Sequence, residues 1–385
     1  MVYIFIILFL LFCVYRYDIK KKIAGRDLSY FFTFILLVSM SSLRYRMGGD
    51  ALFYEERYPE MPIFSNVSYY LRYENYYLYM PLWVYLNAVC KSISSSIILF
   101  QFLHALVFNI LLFIFIKKYT NKQFSVLLLF FISFLYIYYS FEIQREVIAV
   151  GVFLLNIKNL EQKKWIKYYS LAILSLLFHQ SAIIIFVLPL FKFIKFNKSL
   201  VWVLLIVSFF LSLFRSNLLN IFNSFVFLDL IKSKNDSYST ITFSLIGFLS
   251  YYFVRVILFI PIALYLYSKN KKELKYKWFY SSFLIISILA QFFVMFERLL
   301  NYLYPLYFII VIDFVYLYFP RIKSLLLRSI IIATIFLHIF FIIDYKLFLK
   351  NEYGQHFYSH FFPYNSIIDH QKNKEREELF VIEQH

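Results

Sequence analysis

Apolar runs of about bilayer-crossing length recur along the whole chain, and they constrain the fold more than any other feature of the sequence. The hydrocarbon interior offers no water to backbone N–H and C=O groups, so a crossing segment satisfies them internally, as a helix of roughly 20 residues. Of the 385 residues, 62% are hydrophobic, which is too apolar for a soluble domain of this length. The sequence therefore predicts an all-α, polytopic integral membrane helical bundle of about 11 to 14 transmembrane helices.

The positive charge of the chain is concentrated in the loops between apolar runs. The formal net charge is +17, and in a soluble protein such a charge would indicate nucleic-acid binding. Here the basic residues lie in short segments such as 16–22 and 158–167, where lysine and arginine favour the cytoplasmic side of a membrane. We therefore predict a multi-pass protein whose surroundings are the lipid bilayer, with no nucleic-acid partner.

The alternation of apolar runs with basic loops also predicts the domain organisation. A single transmembrane domain is expected over residues 1–343, followed over 344–385 by a polar C-terminal tail that is not expected to carry chemistry. Basic loops orient the intervening helices, and this places two longer loops on the external side, at about 44–77 and 215–242.

Two stretches do not follow this alternation simply. Two full crossings between 78 and 116 would leave the lysines at 117–122 outside, so we expect an incomplete or re-entrant segment between 60 and 95. Residues 168–191 are too short for two perpendicular crossings. They form either one long helix or a helical hairpin whose tip lies inside the membrane.

A charged segment broken by glycines, RYRMGGDALFY at 44–54, follows directly on the second apolar run. Glycine permits tight turns and close backbone approach, and arginine presents a fixed fork of donors that matches phosphate. Arg44 and Arg46 could therefore hold a phosphate-bearing lipid at the membrane exit, with Asp50 as a base. An interfacial loop whose arginines extend towards the headgroups explains the same residues, so both interpretations stay open.

Three further polar residues fall on the predicted external side, namely Arg145, His179 and Arg298. Ionisable groups at or within a membrane are costly and usually face a cavity or a partner. Structural alternatives exist for each. Arg145 can pair with Glu142, three residues earlier; Arg298 can extend to the interface beside Glu297; and His179 can be a hydrogen-bonded structural group.

The sequence shows no metal-ligand spacing and only two cysteines, so no metal site and no cofactor are predicted. A phosphate-binding P-loop, a nucleophile elbow and a zinc-protease HExxH signature are also missing from the sequence. Any chemistry must then use arginines, a carboxylate and a histidine.

An ordered set of short motifs resembles the signature segments of the EpsG family. The motifs are RYRMGGD at 44–50 with Tyr54, REVIAVG at 145–151, FHQSA at 178–182, and Arg298 with Tyr302. The resemblance extends from about residue 28 to about residue 320. One departure is Glu146, where the family usually has glutamine. EpsG-type proteins are membrane proteins of bacterial surface-polysaccharide clusters, regarded as Wzy-like polymerases of lipid-linked repeat units.

The resemblance implies an enzyme, a glycosyltransferase that polymerises O-antigen, capsule or exopolysaccharide at the external face of the bacterial inner membrane. It would transfer a growing undecaprenyl-diphosphate-linked glycan to a sugar hydroxyl of a lipid-linked repeat unit. Asp50 is then the catalytic base and His179 the second candidate. Five residues would bind the diphosphate and glycan: Arg44, Arg46, Tyr54, Arg145 and Arg298. The chain-length regulator and the flippase of the same pathway are implied protein partners.

The predicted external loop with an interfacial helix is also similar to the GT-C glycosyltransferase architecture, which is an analogy of fold. Three other functions fit the same residues. A transporter that flips lipid-linked oligosaccharide would use the arginines but need no base. A sugar acyltransferase would use His179 as its base, and a scaffold for polysaccharide assembly would need none of these polar residues.

Overall fold

The computed structural model describes residues 1–75, 78–213, 249–250, 252–269, 276–293, 296–317, 319–342, 347–348, 350, 354–369 and 372–384. In this part of the chain every regular element is helical. The β pairing seen there is limited to two isolated bridges, Arg44 with Ser366 and Lys350 with His356. The prediction of an all-α fold is confirmed for these residues. The predicted external loop at 215–242 lies outside the described residues.

The chain divides into two units. The first comprises Met1–Ile183, Phe308–Asp313 and Ile343–His385, and the second comprises Ile184–Tyr307 and Phe314–Ile342. The longer helices, in chain order, are α1 Val2–Cys13, α2 Arg26–Ser42, α3 Gly49–Arg57, α4 Pro81–Ile93, α5 Ile97–Tyr119, α6 Gln123–Ile132, α7 Gln144–Glu161, α8 Trp165–Leu176, α9 Lys198–Leu213, α10 Phe259–Lys269, α11 Lys277–Phe292, α12 Tyr304–Leu317, α13 Leu325–Ile342 and α14 Lys374–Gln384.

Two helical stretches among the described residues are long and apolar enough to cross a membrane, Val2–Ile19 and Ile97–Tyr119. A third crossing results if Gln123–Ile132 and Leu135–Glu142, which are bent by 80° at the break between them, count as one span. Other apolar helices are shorter than a full crossing. The structure thus shows an all-α membrane protein, while the larger number of transmembrane helices stays a prediction.

The two stretches whose topology the sequence left open contain a short helix and a broken helix respectively. Helix α4 has 13 residues, about 20 Å along its axis, which is less than the roughly 30 Å of hydrocarbon in a bilayer. Residues 168–191 do not form one long helix. Helix α8 ends at Leu176, and a new helical turn begins at Gln180.

In the first unit, close helix contacts set the position of the segment that begins at Arg145. Gly151 in α7 faces Leu111 in α5, and a Cβ at Gly151 would lie only 2.7 Å from Leu111 Cδ1. The missing side chain therefore allows the two helices to approach closely, as small residues do in membrane helix pairs.

Helix α8 folds back on α7 as an antiparallel hairpin. The Asn156 side-chain amide donates to the Tyr168 carbonyl oxygen at 2.8 Å, which fixes the register of the pair. As many residues separate Ile148 from Asn156 as separate Tyr168 from Leu176. Since both helices rise equally per residue, the hairpin returns Leu176 at the end of α8 to about the level of Ile148, and His179 follows three residues later.

Polar contacts under the 43–48 loop join helices α2 and α5 to the turn after α6. The Tyr136 hydroxyl lies 3.0 Å from the Leu37 carbonyl oxygen, 3.0 Å from Asn109 Oδ1 and 3.0 Å from Ser41 Oγ. Tyr136 itself is buried. Buried polar groups need such partners, and here the partners hold the end of α2 in place.

The second unit contains a buried ion pair. Arg255 is 1% exposed, and its guanidinium lies 2.6 Å from the Glu297 carboxylate. A charge held in an apolar environment is stabilised by an opposite charge at short range. In the same unit the Tyr307 hydroxyl lies 2.5 Å from Nδ1 of His338.

Candidate functional site

The N-terminus of α3 is held by a carboxylate that comes from another part of the first unit. Glu142 accepts the backbone N–H of Gly49 at 2.7 Å and that of Asp50 at 3.0 Å. The first N–H groups of a helix have no partner within the helix, and the two Glu142 side-chain oxygens satisfy those of Gly49 and Asp50. Glu142 therefore fixes where α3 begins and how it points.

Gly48 is required at the entry to α3. Its φ is +86°, and a Cβ built on it would lie 2.9 Å from both the Cβ and the carbonyl oxygen of Phe141. Only glycine adopts such a conformation without steric cost. The motif glycine thus allows the loop to pass directly over the segment that carries Glu142.

Asp50 and Tyr54 lie one turn apart on α3, so they share a face of the helix. The Asp50 side chain is exposed and Tyr54 is buried. Burial raises the pKa of Tyr54 above its ordinary range, an effect that the charge of Arg145 partly opposes. The Tyr54 hydroxyl therefore stays protonated at neutral pH.

Arg145 lies against this face of α3. Its Nε donates to the Tyr54 hydroxyl at 2.7 Å, and its guanidinium carbon lies 5.5 Å from the Tyr54 ring centroid and 5.0 Å from that of Tyr79. Within the described part of the chain, no carboxylate pairs with Arg145. The alternative pair with Glu142 is not formed, because Glu142 binds the start of α3 instead.

Arg44 is a buried structural residue in this conformation. It is 1% exposed, donates to the Ser41 carbonyl oxygen and lies 5.0 Å from the centroid of the Phe141 ring. Burial lowers the pKa of Arg44 to about 10, so the side chain remains charged at neutral pH. Its charge contributes to the local field without being exposed to a ligand.

Arg46 is held by several carboxylates. Its Nε and Nη2 donate to the Glu377 carboxylate at 2.5 Å and 2.7 Å, in the paired geometry that arginine forms with carboxylates. Glu55 and Glu56 lie 3.5 Å and 3.4 Å away. The hydrogen bond with Glu377 raises the pKa of Arg46 above its ordinary range.

His179 lies at the break after α8 and is 5% exposed. Its Nδ1 accepts the backbone N–H of Ser181 at 3.2 Å and lies 2.7 Å from the Ser181 hydroxyl. With Nδ1 as an acceptor, the proton of the neutral imidazole is on Nε2. His179 thus caps the start of the next helical turn through its Nδ1.

Arg298 belongs to the second unit and is exposed. It lies in the short helix Glu297–Leu300, whose first residue pairs with Arg255. Tyr302, the aromatic residue of the same motif, is fully buried. Glu297 therefore forms an ion pair with Arg255, and this buried arginine fixes the position of the short helix that carries Arg298.

The structure brings Asp50, Tyr54 and Arg145 together at the start of α3, with Arg44 and Arg46 in the preceding loop. Sequence reasoning missed Glu377 as the partner of Arg46 and Arg255 as the partner of Glu297. The arginine inside the apolar run at 251–260 was a usable signal. By contrast, no feature of the polar tail indicated that Glu377 would pair with Arg46. Among the described residues no group of three His, Cys, Asp or Glu side chains is placed to hold a metal ion.

Fold and site together define an all-helical membrane protein with an arginine, tyrosine and carboxylate cluster at the end of a glycine-broken loop. The sequence model of the EpsG family matches residues 27–366, so the chain belongs to the EpsG family and the resemblance seen in its motifs is confirmed. Membership implies a function of the Wzy-like polysaccharide polymerase type. No curated protein and no solved structure matches the chain significantly.

Proposed function

We propose that the protein polymerises a bacterial surface polysaccharide at the external face of the inner membrane. A sugar hydroxyl of a lipid-linked repeat unit attacks the anomeric carbon of a growing glycan carried on undecaprenyl diphosphate. The new glycosidic bond forms as the bond to the diphosphate oxygen breaks. The hydroxyl proton passes to a base, and the leaving electron pair departs with undecaprenyl diphosphate.

The observation that carries this proposal is the contact of Arg145 with Tyr54, which lies one helical turn from Asp50 on α3. Only the Nε of Arg145 has a protein hydrogen-bond partner among the described residues, and the rings of Tyr54 and Tyr79 flank its guanidinium. The terminal nitrogens are therefore available for a bidentate contact with phosphate. Such a cation stabilises the charge that develops on a departing diphosphate.

Asp50 is the base in this proposal. Its side chain is exposed and lies one helical turn from Tyr54, the residue that holds Arg145. A carboxylate within reach of the acceptor hydroxyl can take its proton as the new bond forms. His179, whose Nδ1 lies 2.7 Å from the Ser181 hydroxyl, is the second candidate for this base.

The remaining arginines differ in the contacts they make. Arg44 and Arg46 are bound by protein groups, so we assign Arg44 to the positive field of the loop and Arg46, which carboxylates neutralise, to its shape. Arg298, exposed on its own unit, is proposed as a further diphosphate ligand. The chain-length regulator and flippase of the pathway remain proposed protein partners.

The test uses a strain that lacks this gene and is complemented with wild type, Asp50→Asn, Arg145→Gln or His179→Ala, with the membrane level of each variant measured. Asp27→Asn is the matched control, because Asp27 is an exposed carboxylate at the far end of α2. Loss of one arginine from such a site lowers the rate on the order of 10²-fold. We expect single repeat units on lipid with Asp50→Asn and Arg145→Gln, and full-length glycan with the control.

The other outcomes separate the rival functions. Asp50→Asn with full-length polymer and Arg145→Gln with none would favour a lipid-linked oligosaccharide transporter, which binds diphosphate but needs no base. Glycans of normal length that lack an acyl group in the deletion strain would indicate a sugar acyltransferase. Full-length polymer from every point variant would indicate a scaffold.

A further inference from the structure

The C-terminal segment is paired with the signature loop through its backbone. Backbone N–H groups on both sides donate across the pair at 2.8 to 2.9 Å: Tyr45 to the Asn365 carbonyl, Gly48 to the His360 carbonyl and Ile367 to the Leu43 carbonyl. Such bonds depend on main-chain position and not on side-chain identity. The residues just before α3 therefore take their conformation from a segment more than 300 positions further along the chain.

Arg376 joins three parts of this assembly. It is 1% exposed, and its guanidinium donates to the carbonyl oxygens of Ser359 at 3.0 Å, Arg46 at 3.0 Å and Pro363 at 2.7 Å. A buried arginine needs hydrogen-bond partners for its donors. Here they bind the loop carbonyl of Arg46 to two points of the C-terminal segment.

Glu377, the next residue of α14, binds the side chain of the same loop residue. Its two oxygens lie 2.5 Å and 2.7 Å from the Arg46 guanidinium. Arg46 has a φ of 49°, a conformation that a non-glycine residue adopts only when its surroundings hold it there. Two neighbouring residues of α14 thus bind Arg46: Arg376 binds its carbonyl oxygen, and Glu377 binds its side chain.

We propose that Arg376 and Glu377 are positioning residues for the candidate site, holding the loop so that α3 presents Asp50 and Tyr54. The proposal rests on the proposed polymerase function. It goes beyond the family motifs, because α14 begins at Lys374 and the family match ends at residue 366. The adjacent Glu378 makes none of these contacts and pairs with Lys374 at 3.9 Å.

A double-mutant cycle on activity tests this role. Purified full-length protein in proteoliposomes is given lipid-linked repeat units, and the rate per folded protein is measured for Glu377→Gln, Arg46→Gln and the double variant. Glu378→Gln is the matched control. If Glu377 acts through Arg46, each single change lowers the rate about 10-fold and the double change lowers it no further, since contacting residues are not additive. Glu377→Asp restores most of the rate.

Loop conformation is measured separately, by labelling a cysteine introduced at Tyr45 with a membrane-impermeant maleimide. The native Cys13 and Cys90 are buried, and Ser65→Cys, on an exposed turn, is the control site. We expect Glu377→Gln to raise the labelling rate at position 45 several-fold and to leave it unchanged at position 65.

The two measurements distinguish failure of this proposal from failure of the proposed function. Unchanged labelling and unchanged rate in Glu377→Gln would overturn the positioning role. A faster rate in Glu377→Gln would also overturn it, in favour of an autoinhibitory contact. Raised labelling with an unchanged polymerisation rate would support the contact and count against catalysis at this loop.

Discussion

At the scale of single residues, the site depends on which partner each charged side chain takes. Arg145 and Glu142 are spaced for an intrahelical pair, yet Glu142 binds the N-terminus of α3 and Arg145 binds Tyr54. A helix N-terminus offers two N–H donors in a fixed direction. Among the described residues, Arg145 has the neutral Tyr54 hydroxyl as its hydrogen-bond partner, as the proposed anion binding requires.

Tyr54→Phe is predicted to weaken the site without disturbing its packing. The ring and its contacts with Trp83 at 5.3 Å remain, whereas the acceptor for Arg145 Nε is lost. A hydrogen bond to a charged group contributes about 1.5 to 3 kcal/mol, so the polymerisation rate should fall about 10-fold or more at an unchanged membrane level. Tyr73→Phe, on an exposed ring, should leave the rate unaltered, and an equal loss there would contradict the prediction.

At the scale of elements, close packing of α5 against α7 places the start of α7. Gly151 closes the REVIAVG motif, and its contact with Leu111 gives the motif glycine a structural role. Position 48 requires glycine for a different reason, because its φ is positive and its backbone lies close to Phe141. Two motif glycines therefore serve helix packing and loop entry respectively.

Gly151→Ala is predicted to destabilise the first unit. The added Cβ would lie 2.9 Å from Leu111 Cβ and 2.7 Å from Leu111 Cδ1, so the helices must move apart. Overpacking of this kind costs about 1 to 3 kcal/mol. The check is the thermal midpoint of the detergent-solubilised protein. Gly151→Ala should cost less stability in a Leu111→Ala background, where Cδ1 is absent, than in the wild-type background, and an equal cost in both would mean that the contact with Leu111 Cδ1 is not the cause.

At the scale of the whole molecule, the C-terminal segment of the first unit belongs to the candidate site. The Tyr3 hydroxyl donates to the Phe361 carbonyl oxygen at 2.8 Å, so α1 also contributes to holding that segment. Arg46 and Glu377 are 331 positions apart in the chain. Their ion pair exists only once the first unit has folded, which makes its contribution to stability dependent on pH.

The stability of the loop is predicted to fall in acid through this pair. Burial alone would raise the pKa of Glu377, but the hydrogen bond and the charge of Arg46 lower it overall. The folded pKa then lies below the unfolded value of about 4.3, so the stabilisation is present above that value and is lost as the pH falls through the folded pKa. Burial raises the pKa of Glu55, which also faces Arg46, so Glu55 is neutralised first.

The measurement is the thermal midpoint of the solubilised protein across acid pH. Wild type should lose stability more steeply than Glu377→Gln, and Glu378→Gln should follow wild type. Identical curves for wild type and Glu377→Gln would show that the pair contributes nothing that depends on pH.

Local patterns were enough to predict the all-α membrane class of this protein and its family. Hydropathy adds up residue by residue along a segment, so apolar runs predict membrane helices before any tertiary contact is known. Glycine and arginine at 44–50 likewise indicate a turn with anion-binding groups. The ordered motifs indicated the EpsG family, which the match over 27–366 confirms.

Only the tertiary structure decided which partner each charged side chain of the site binds. Arg46 is bound by Glu377 from α14, Arg44 is buried against Phe141, and Arg145 is left with a hydroxyl partner. The physical reason is that a charged side chain takes its partner from whatever segments meet it in space, and in membrane surroundings a missing partner is costly. Sequence spacing shows the neighbours on one helix, whereas these partners come from helices far apart in the chain.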